Sequence, residues 1–248
     1  MIRWIVTIGI VALTASAAFA QAAAPPPIQF DLGTLNDPIE FSSSVGLLMS
    51  IASISFAPFF LLSTTSFLRF AIVLGMLRAA IGTANAPPNQ VVISLALFMT
   101  IYVMTPTWKV IYEESITPYN QGQITQEEAL KAGIQPFRDF MFRFTREQDL
   151  GLFIQFAKLP AITSKDDIPL FVIVPAFIIS ELKTAFQIGF LLYIPFVVVD
   201  LIVSNILLSL GMFMLSPVMI SAPFKILLFV LTDGWNLITS GLLSGFEL

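Results

Sequence analysis

Two residue types are missing from this chain of 248 residues, which contains no cysteine and no histidine. Without them it cannot form a disulfide, a thiolate or imidazole metal site, a cysteine nucleophile or a Ser-His-Asp triad. It also has no Gly-rich loop of the kind that holds nucleotide phosphates. We therefore expect a protein that is not an enzyme and that carries no metal or other cofactor.

Charge is also scarce, because only 11% of the residues are charged whereas 56% are hydrophobic. Soluble globular proteins usually carry about 25% charged residues. The formal net charge of −4 leaves no polycationic surface for a nucleic acid. The composition favours a membrane-embedded or assembly-buried protein and excludes a nucleic-acid partner.

The first 20 residues have the pattern of a secretory signal peptide. Arg3 precedes an apolar stretch, and small residues lead to an Ala-x-Ala cleavage site between Ala20 and Gln21. Residues 21–40, which include three consecutive prolines, are then a stiff leader. An uncleaved anchor helix is the alternative, although the apolar stretch is short for a bilayer span. Either way, the N-terminus is exported across a membrane.

The remaining charges divide the chain into three zones. Seven of the 12 basic and nine of the 16 acidic residues fall within residues 109–167. Residues 41–108 are predicted to form a first hydrophobic helical hairpin that turns at residues 82–88, and residues 168–248 form a second hydrophobic block. Uncharged runs long enough for membrane helices predict about four such helices, at residues 41–68, 79–108, 184–199 and 201–224. Asp200 separates the last two.

The polar zone, residues 109–167, is predicted to be amphipathic helix. Thr125 with Glu128, and Thr145 with Gln148, have the spacing of a capping box. Apolar residues recur at helical spacing in two stripes, which comprise Phe137, Phe140, Met141 and Phe144, and Leu150, Phe153, Ile154 and Ala157. These stripes need a surface to pack on, either each other or neighbouring subunits.

Seven charged residues lie within or beside the apolar runs, where a charge costs a few kcal/mol or more unless it is paired or hydrated. They are Arg69, Arg78, Glu181, Lys183, Asp200, Lys225 and Asp233. One interpretation is intersubunit salt bridges or snorkelling side chains. The other is a proton relay or solute site at Glu181, Lys183 and Asp200, which would make the protein a subunit of a small-solute or proton transporter or channel. Glu181 and Lys183 do not face each other on a helix, so each needs its own partner.

Residues 211–217 combine glycine, methionine, phenylalanine and proline at an expected helix break. Methionine is flexible and polarizable, so Met212, Phe213 and Met214 could form a deformable seal around a passing polymer. Ordinary core packing is the alternative that the residues alone leave open.

Several blocks resemble the FliP family of flagellar protein-export components, which is related to the SctR proteins of injectisomes. The blocks are TSFLR at 65–69, PPNQV at 87–91, TREQDL at 145–150, PAFIISELKTAFQIGF at 175–190 and PFKILLFVLTDGW at 223–235. The resemblance covers residues 40–248.

The resemblance implies an all-α core subunit of the flagellar type III export gate. Family members assemble, as five copies with FliQ and FliR, into a helical ring that conducts unfolded flagellar subunits. FlhA, FlhB and the basal-body ring lie nearby. The complex sits in the bacterial inner membrane, largely toward the periplasmic side, where the leader and residues 109–167 would lie.

The family's methionine-rich constriction falls on Met212, Phe213 and Met214. Relatives often have consecutive methionines and a second proline, where this chain has Phe213 and Ser216.

A passive scaffold without a pore is a third hypothesis for the function, beside the export gate and the transporter.

Overall fold

The computed structural model describes residues 46, 51–52, 55–56, 58–83, 86–157 and 164–246. The chain divides into two units, residues 1–55 and 56–248. In the first unit, the four described residues are helical. The predicted signal peptide, its cleavage site at Ala20 and Gln21, and the leader at 21–40 lie outside the described residues.

The described part of the second unit is all-helical, as predicted, and contains no strand. A helical stretch at residues 58–63 precedes the longer elements. Those elements are α1 (Phe67–Ile81), α2 (Asn89–Ile111), a π-helical turn (Tyr112–Ile116), α3 (Thr117–Asn120), α4 (Gln126–Phe144), α5 (Glu147–Ala157), a 3-10 turn (Lys165–Asp167), α6 (Leu170–Ser209), α7 (Pro217–Leu231) and α8 (Gly234–Ser244).

Helix α1 lies at the centre of this unit and packs against α2, α6 and α7. Its buried apolar side chains form much of the core together with residues of α2, α4 and α6. Those of α1 are Phe70, Val73, Leu74, Leu77, Ala80 and Ile81. In the sequence this segment lies between two apolar runs and was not predicted as a separate helix. In the structure it is a helix whose apolar side chains are buried in the core.

The turn predicted at residues 82–88 separates α1 from α2. Gly82 ends α1 with a left-handed φ of 80°, which glycine adopts without the steric cost that other residues meet. Pro88 then lies directly before the first residue of α2. Proline suits this position because the first helical N–H groups have no partner within the helix.

The predicted helix boundary at Asp200 is wrong, because α6 continues through it to Ser209. The 40 residues of α6 correspond to a helix about 60 Å long. Asp200 need not end the helix, since its carboxylate is bound by Ser221 and Lys225 of α7. Pro175 and Pro195 also lie within α6.

The described residues contain two or three of the membrane-grade helices, of which about four were predicted for the whole chain. Two described segments are long and apolar enough to cross a membrane, Asn89–Asn120 and Leu170–Ser209. Helices α7 and α8 together reach that length but are bent by 64°, so the described residues contain two or three candidate spans. The run at 184–199 and the first part of the run at 201–224 both belong to α6, and the last part of the second run belongs to α7. The run at 41–68 lies largely outside the described residues.

In the polar zone, α4 begins with the predicted capping box. The Thr125 hydroxyl accepts from the Glu128 backbone N–H at 3.3 Å, and the Glu128 carboxylate accepts from the Thr125 N–H at 2.8 Å. Within the predicted α4 stripe, Phe140 and Met141 are buried. The second predicted capping box is wrong, because no hydrogen bond joins Thr145 and Gln148 in the described residues. The Thr145 hydroxyl donates back to the Met141 carbonyl at 2.6 Å.

Helix α5 packs on α6 along its predicted stripe, whose residues are half-buried. The opposite side of α5 carries exposed Leu152 and Phe156. The two amphipathic helices therefore use their stripes to cover other helices of the same chain.

Candidate functional site

Arg69 of α1 and Glu181 of α6 form an ion pair at the centre of the unit. The guanidinium donates from Nε to Glu181 Oε2 at 2.8 Å and from Nη2 to Oε1 at 2.5 Å. Glu181 has no solvent-exposed surface, and Arg69 is 4% exposed. The two-pronged geometry matches the planar guanidinium to the carboxylate, which satisfies both groups away from water.

The C-terminal end of the described chain completes the surroundings of Arg69. Its Nη1 donates to the Gly245 carbonyl at 3.2 Å, and its guanidinium carbon lies 3.7 Å from the centroid of the Phe246 ring. Phe246 is itself buried against Phe70, Phe140 and Phe144. Gly245 and Phe246 are thereby joined to the buried ion pair by a hydrogen bond and a cation–π contact.

Asp149 of α5 is the centre of a second cluster. It accepts from the Ser180 hydroxyl at 2.8 Å and from the Lys183 ammonium. Burial alone would raise the pKa of the Asp149 carboxyl, but the hydrogen bonds from Lys183 and Ser180 outweigh burial and lower its pKa. Asp149 therefore stays ionised at neutral pH.

Arg146 reinforces the junction between α5 and α6. Its backbone N–H donates to the Ser180 hydroxyl at 3.0 Å, and its guanidinium donates to Thr184 at 3.1 Å and to Gln187 at 2.7 Å. The start of α5 is consequently attached to α6 by polar contacts as well as by its apolar stripe.

Asp200 of α6 is the centre of a third cluster with the same composition. It accepts from the Ser221 hydroxyl at 2.5 Å and from the Lys225 ammonium at 2.6 Å. Ser221 and Lys225 are buried, whereas the Asp200 side chain is partly exposed. In both the second and third clusters, one aspartate is held by a serine and a lysine one helical turn apart.

The two remaining intramembrane candidates, Arg78 and Asp233, form no ion pair within the described part of the chain. Arg78 lies in the last turn of α1, where a cation interacts favourably with the helix dipole. Asp233 has a left-handed φ of 50° between α7 and α8, and its carboxylate accepts from Asn236 at 3.1 Å.

From the sequence, the candidate charges were interpreted either as intersubunit salt bridges or snorkelling side chains, or as a relay or solute site. Glu181, Lys183 and Asp200 each have a partner in the same chain. Hydropathy does not indicate which residue a polar side chain contacts. The roles of Asp149, Ser180 and Ser221 were therefore not predicted. A signal was present: a serine three or four residues before a lysine places both side chains on one helix face.

Residues 210–216 connect α6 to α7 and expose an apolar surface. The backbone N–H groups of Gly211 and Met212 donate to the Leu208 and Leu207 carbonyls at 3.1 and 2.9 Å. With Gly211 at a φ of 71°, this is the Schellman arrangement that ends a helix. The following Met212, Phe213 and Met214 side chains are 46%, 74% and 99% exposed.

The helices beside this loop are also apolar on their outer faces. In α6 and α7, the exposed large side chains include Ile202, Ile206, Met219, Leu227 and Val230. Many exposed large apolar side chains on neighbouring helices indicate a face that contacts lipid or other protein chains.

No group of three or more aspartates and glutamates in the described residues is placed to hold a metal ion. Within the described residues, two of the candidates on α6 are far apart. Asp200 follows Lys183 by 17 residues on α6, which corresponds to about 26 Å along a helix.

A model of the FliP family matches residues 50–242. The flagellar biosynthetic protein FliP of Bacillus subtilis is 50% identical over 211 residues, which cover 85% of this chain and 96% of that protein. The proteins of the same name from Pectobacterium carotovorum and Aquifex aeolicus are 49% and 45% identical, covering 82% and 96% of this chain and 79% and 98% of theirs.

Proposed function

We propose, from the premise that this chain belongs to the FliP family, that residues 210–216 form the constriction of a protein-conducting export gate. As a member of that family, the chain is a component of the flagellar export apparatus and not an enzyme. Its long apolar helices make it a membrane protein. In the proposed function, copies of the chain form a ring that conducts the substrate.

The observation that carries the proposal is the exposure of Met212, Phe213 and Met214 at the end of a long helix. Met214 is 99% exposed, so it does not belong to the hydrophobic core of this chain. Copies of this loop arranged around an axis would bring large apolar side chains together and exclude ions. Because methionine side chains adapt their shape, such a seal could yield to a polypeptide and close again.

Phe213 and Ser216 distinguish this loop from the methionine-rich pattern that the family resemblance implies. Phenylalanine has fewer rotatable bonds than methionine but fills more space. The φ of Gly211 and the position of Pro217 as first residue of α7 fix both ends of the loop. We infer a seal whose deformability comes from Met212 and Met214 and whose bulk comes from Phe213.

In the proposed assembly, five copies combine with FliQ and FliR in the bacterial inner membrane, next to FlhA, FlhB and the basal-body ring. The substrates are unfolded flagellar subunits that cross toward the periplasmic side. The exposed apolar faces of α2, α6 and α7 support this assembly, because they need lipid or other chains to cover them.

Replacing Met212, Phe213 and Met214 together with alanine is expected to open the closed gate to ions. Alanine side chains at these positions are too small to meet at the axis of the ring. The helix ends at Gly211 and Pro217 are retained. We expect ion flux through the reconstituted complex with its partners to rise about tenfold or more, since a hydrophobic constriction closes by excluding water. Unchanged ion flux together with normal export would rule out the seal.

The transporter alternative, based on Glu181, Lys183 and Asp200, has less support because each residue is held in a local pair or cluster. It predicts solute or proton flux from this protein reconstituted alone. The export-gate proposal predicts no such flux without partners. Neutralising the three residues also separates the two, because loss of assembly indicates structural pairing whereas intact assembly with lost flux indicates a relay.

A further inference from the structure

Arg78 of α1 has no partner among the described residues. Within that part of the chain, its guanidinium forms no ion pair and donates no hydrogen bond, although the residue is half-buried. An arginine in apolar surroundings is stable when its charged head reaches water or a lipid headgroup, or when it binds an anion. The N–H donors of Arg78 are therefore available to a ligand from outside the described chain.

A cleft between α1, α2 and α8 contains Arg78. Its apolar walls include Leu74, Leu77 and Ile81 of α1, Val91 and Leu95 of α2, and Trp235 of α8. None of the described acidic residues lines it. Because Val91 and Trp235 are also exposed, the cleft opens to the surroundings of the helices. Apolar walls beside one uncompensated positive charge fit an amphiphile with an anionic head.

Trp235 adds a second donor to the cleft. Its ring packs edge-on against Phe229, with the two ring centroids 5.2 Å apart, and its indole N–H has no acceptor among the described residues. Tryptophan is typical of the boundary between lipid tails and water, because its ring is apolar whereas its N–H donates to polar groups. The residue therefore suits the headgroup region of a lipid.

The start of α2 places the cleft near one surface of the membrane. Residues 89–108 carry no charge and begin the candidate span Asn89–Asn120. As a helix, a run of this length extends about 30 Å, which is the thickness of the hydrocarbon core of a bilayer. Val91, in the first turn of this run, lines the same cleft as Arg78. With α2 across the bilayer, Arg78 lies at the level of the lipid phosphates and not at the bilayer centre.

We propose that this cleft binds an anionic phospholipid, whose phosphate accepts hydrogen bonds from Arg78 and Trp235. The guanidinium presents a planar fork of N–H groups that binds two phosphate oxygens at once. The acyl chains lie against the apolar walls of α1 and α2. A zwitterionic lipid fits less well, because its headgroup ammonium is repelled by Arg78 and no described carboxylate of the cleft receives it. The lipid site does not depend on the proposed constriction, so the two can be tested separately.

Native mass spectrometry of the complex, purified from cells in mild detergent, measures this binding. Exchange of the endogenous lipid for phosphatidylcholine, followed by addition of phosphatidylglycerol, gives the affinity for each lipid. We expect the parent to bind phosphatidylglycerol about fivefold or more tightly, because one basic side chain at a membrane surface favours an anionic lipid by about that factor. Arg78→Gln should abolish this preference, and Arg78→Lys should retain part of it. Equal affinities of the parent for both lipids, or an unchanged preference in Arg78→Gln, would overturn the proposal.

Lys109→Gln is the matched control, because Lys109 directly follows the uncharged run of α2 at its other end and is exposed. This variant also removes one basic charge near a membrane surface, but not from the cleft. It should leave the preference for phosphatidylglycerol within about twofold of the parent. Equal losses in the Lys109 and Arg78 variants would reflect net charge alone and would overturn the specific site.

Glycerol phosphate separates a lipid from a small anion bound to the same guanidinium. It carries the phosphate without acyl chains, so it makes no contact with the apolar walls of the cleft. We expect it to displace no phosphatidylglycerol, even in large molar excess. Full displacement by glycerol phosphate would show that the walls contribute nothing and would overturn the assignment of a lipid.

Val91→Glu keeps the test decisive if the Arg78 variants fail to assemble. A glutamate in the first turn of α2 is compatible with the helix dipole, and at this exposed position it places a competing carboxylate in the cleft. We expect the affinity for phosphatidylglycerol to fall about fivefold or more. Parent affinity in an assembled Val91→Glu complex would overturn the site and indicate that Arg78 binds an acidic residue of a neighbouring chain. Failure of Val91→Glu to assemble would show that protein covers the cleft, which also overturns it.

Discussion

Replacing Arg69 with leucine is expected to prevent most of the protein from reaching a stable, assembled state. The change leaves Glu181, which is fully buried, without the two hydrogen bonds that balance its charge. Breaking a buried pair by removing one partner costs about 3–5 kcal/mol. The measurement is the yield of assembled complex and the denaturant midpoint of the purified fraction.

Two further variants identify the cause of that loss. Arg69→Leu combined with Glu181→Leu removes both charges and should recover part of the stability, because an apolar pair carries no desolvation penalty. Lys131→Leu removes one partner of an exposed pair with Glu127, and exposed pairs contribute at most about 1 kcal/mol. A wild-type yield and midpoint for Arg69→Leu would contradict the structural role of the pair.

Replacing Phe246 with alanine is expected to destabilise the unit by an amount close to that of the Arg69 variant. Truncation of a buried phenylalanine costs about 3–5 kcal/mol. Phe246 contacts Phe70, Phe144 and the Arg69 guanidinium, so the variant removes core packing and also exposes the ion pair. The denaturant midpoint of the purified complex, compared with the parent, measures the effect.

Phe156→Ala is the control for this prediction, because Phe156 is 76% exposed on α5. Surface substitutions of this type usually change the unfolding free energy by less than about 0.5 kcal/mol. If Phe246→Ala and Phe156→Ala had the same small effect, Phe246 would not be part of the core. A large effect of Phe246→Ala alone would establish that Phe246 is part of the core.

The sequence predicted the features that depend on local chemistry. The capping box at Thr125 and Glu128 and the turn between Gly82 and Pro88 follow from residue types at fixed spacings. The helix break before Pro217 follows from a glycine and a proline at its two ends. The buried stripe of α4 follows from helical periodicity.

Features that depend on distant partners could not be predicted in this way. Arg69 and Glu181 are 112 residues apart, and only the packing of α1 on α6 brings them together. Hydropathy predicted a helix boundary at Asp200 because it treats every charge as exposed. In the structure, Ser221 and Lys225 bind the Asp200 carboxylate. Thr145 has the spacing of a helix cap, but its hydroxyl binds the preceding turn instead.

The bounds of the apolar helices depend on distant partners as well. In the described residues, α1 uses its apolar side chains as core, and α6 joins runs that hydropathy separates. Hydrophobic composition does not distinguish surface that faces lipid from surface that faces protein. The described residues consequently contain two or three candidate spans.

Site-specific photo-crosslinking during export tests the constriction most directly. A photoreactive amino acid would replace Met214, the most exposed side chain of the loop, in cells that export a substrate stalled by a folded domain. The account predicts an adduct between residue 214 and the unfolded part of that substrate, and none from the same amino acid at exposed Leu130 of α4. No adduct at residue 214, or equal adducts at both positions, would contradict a polypeptide path through the loop.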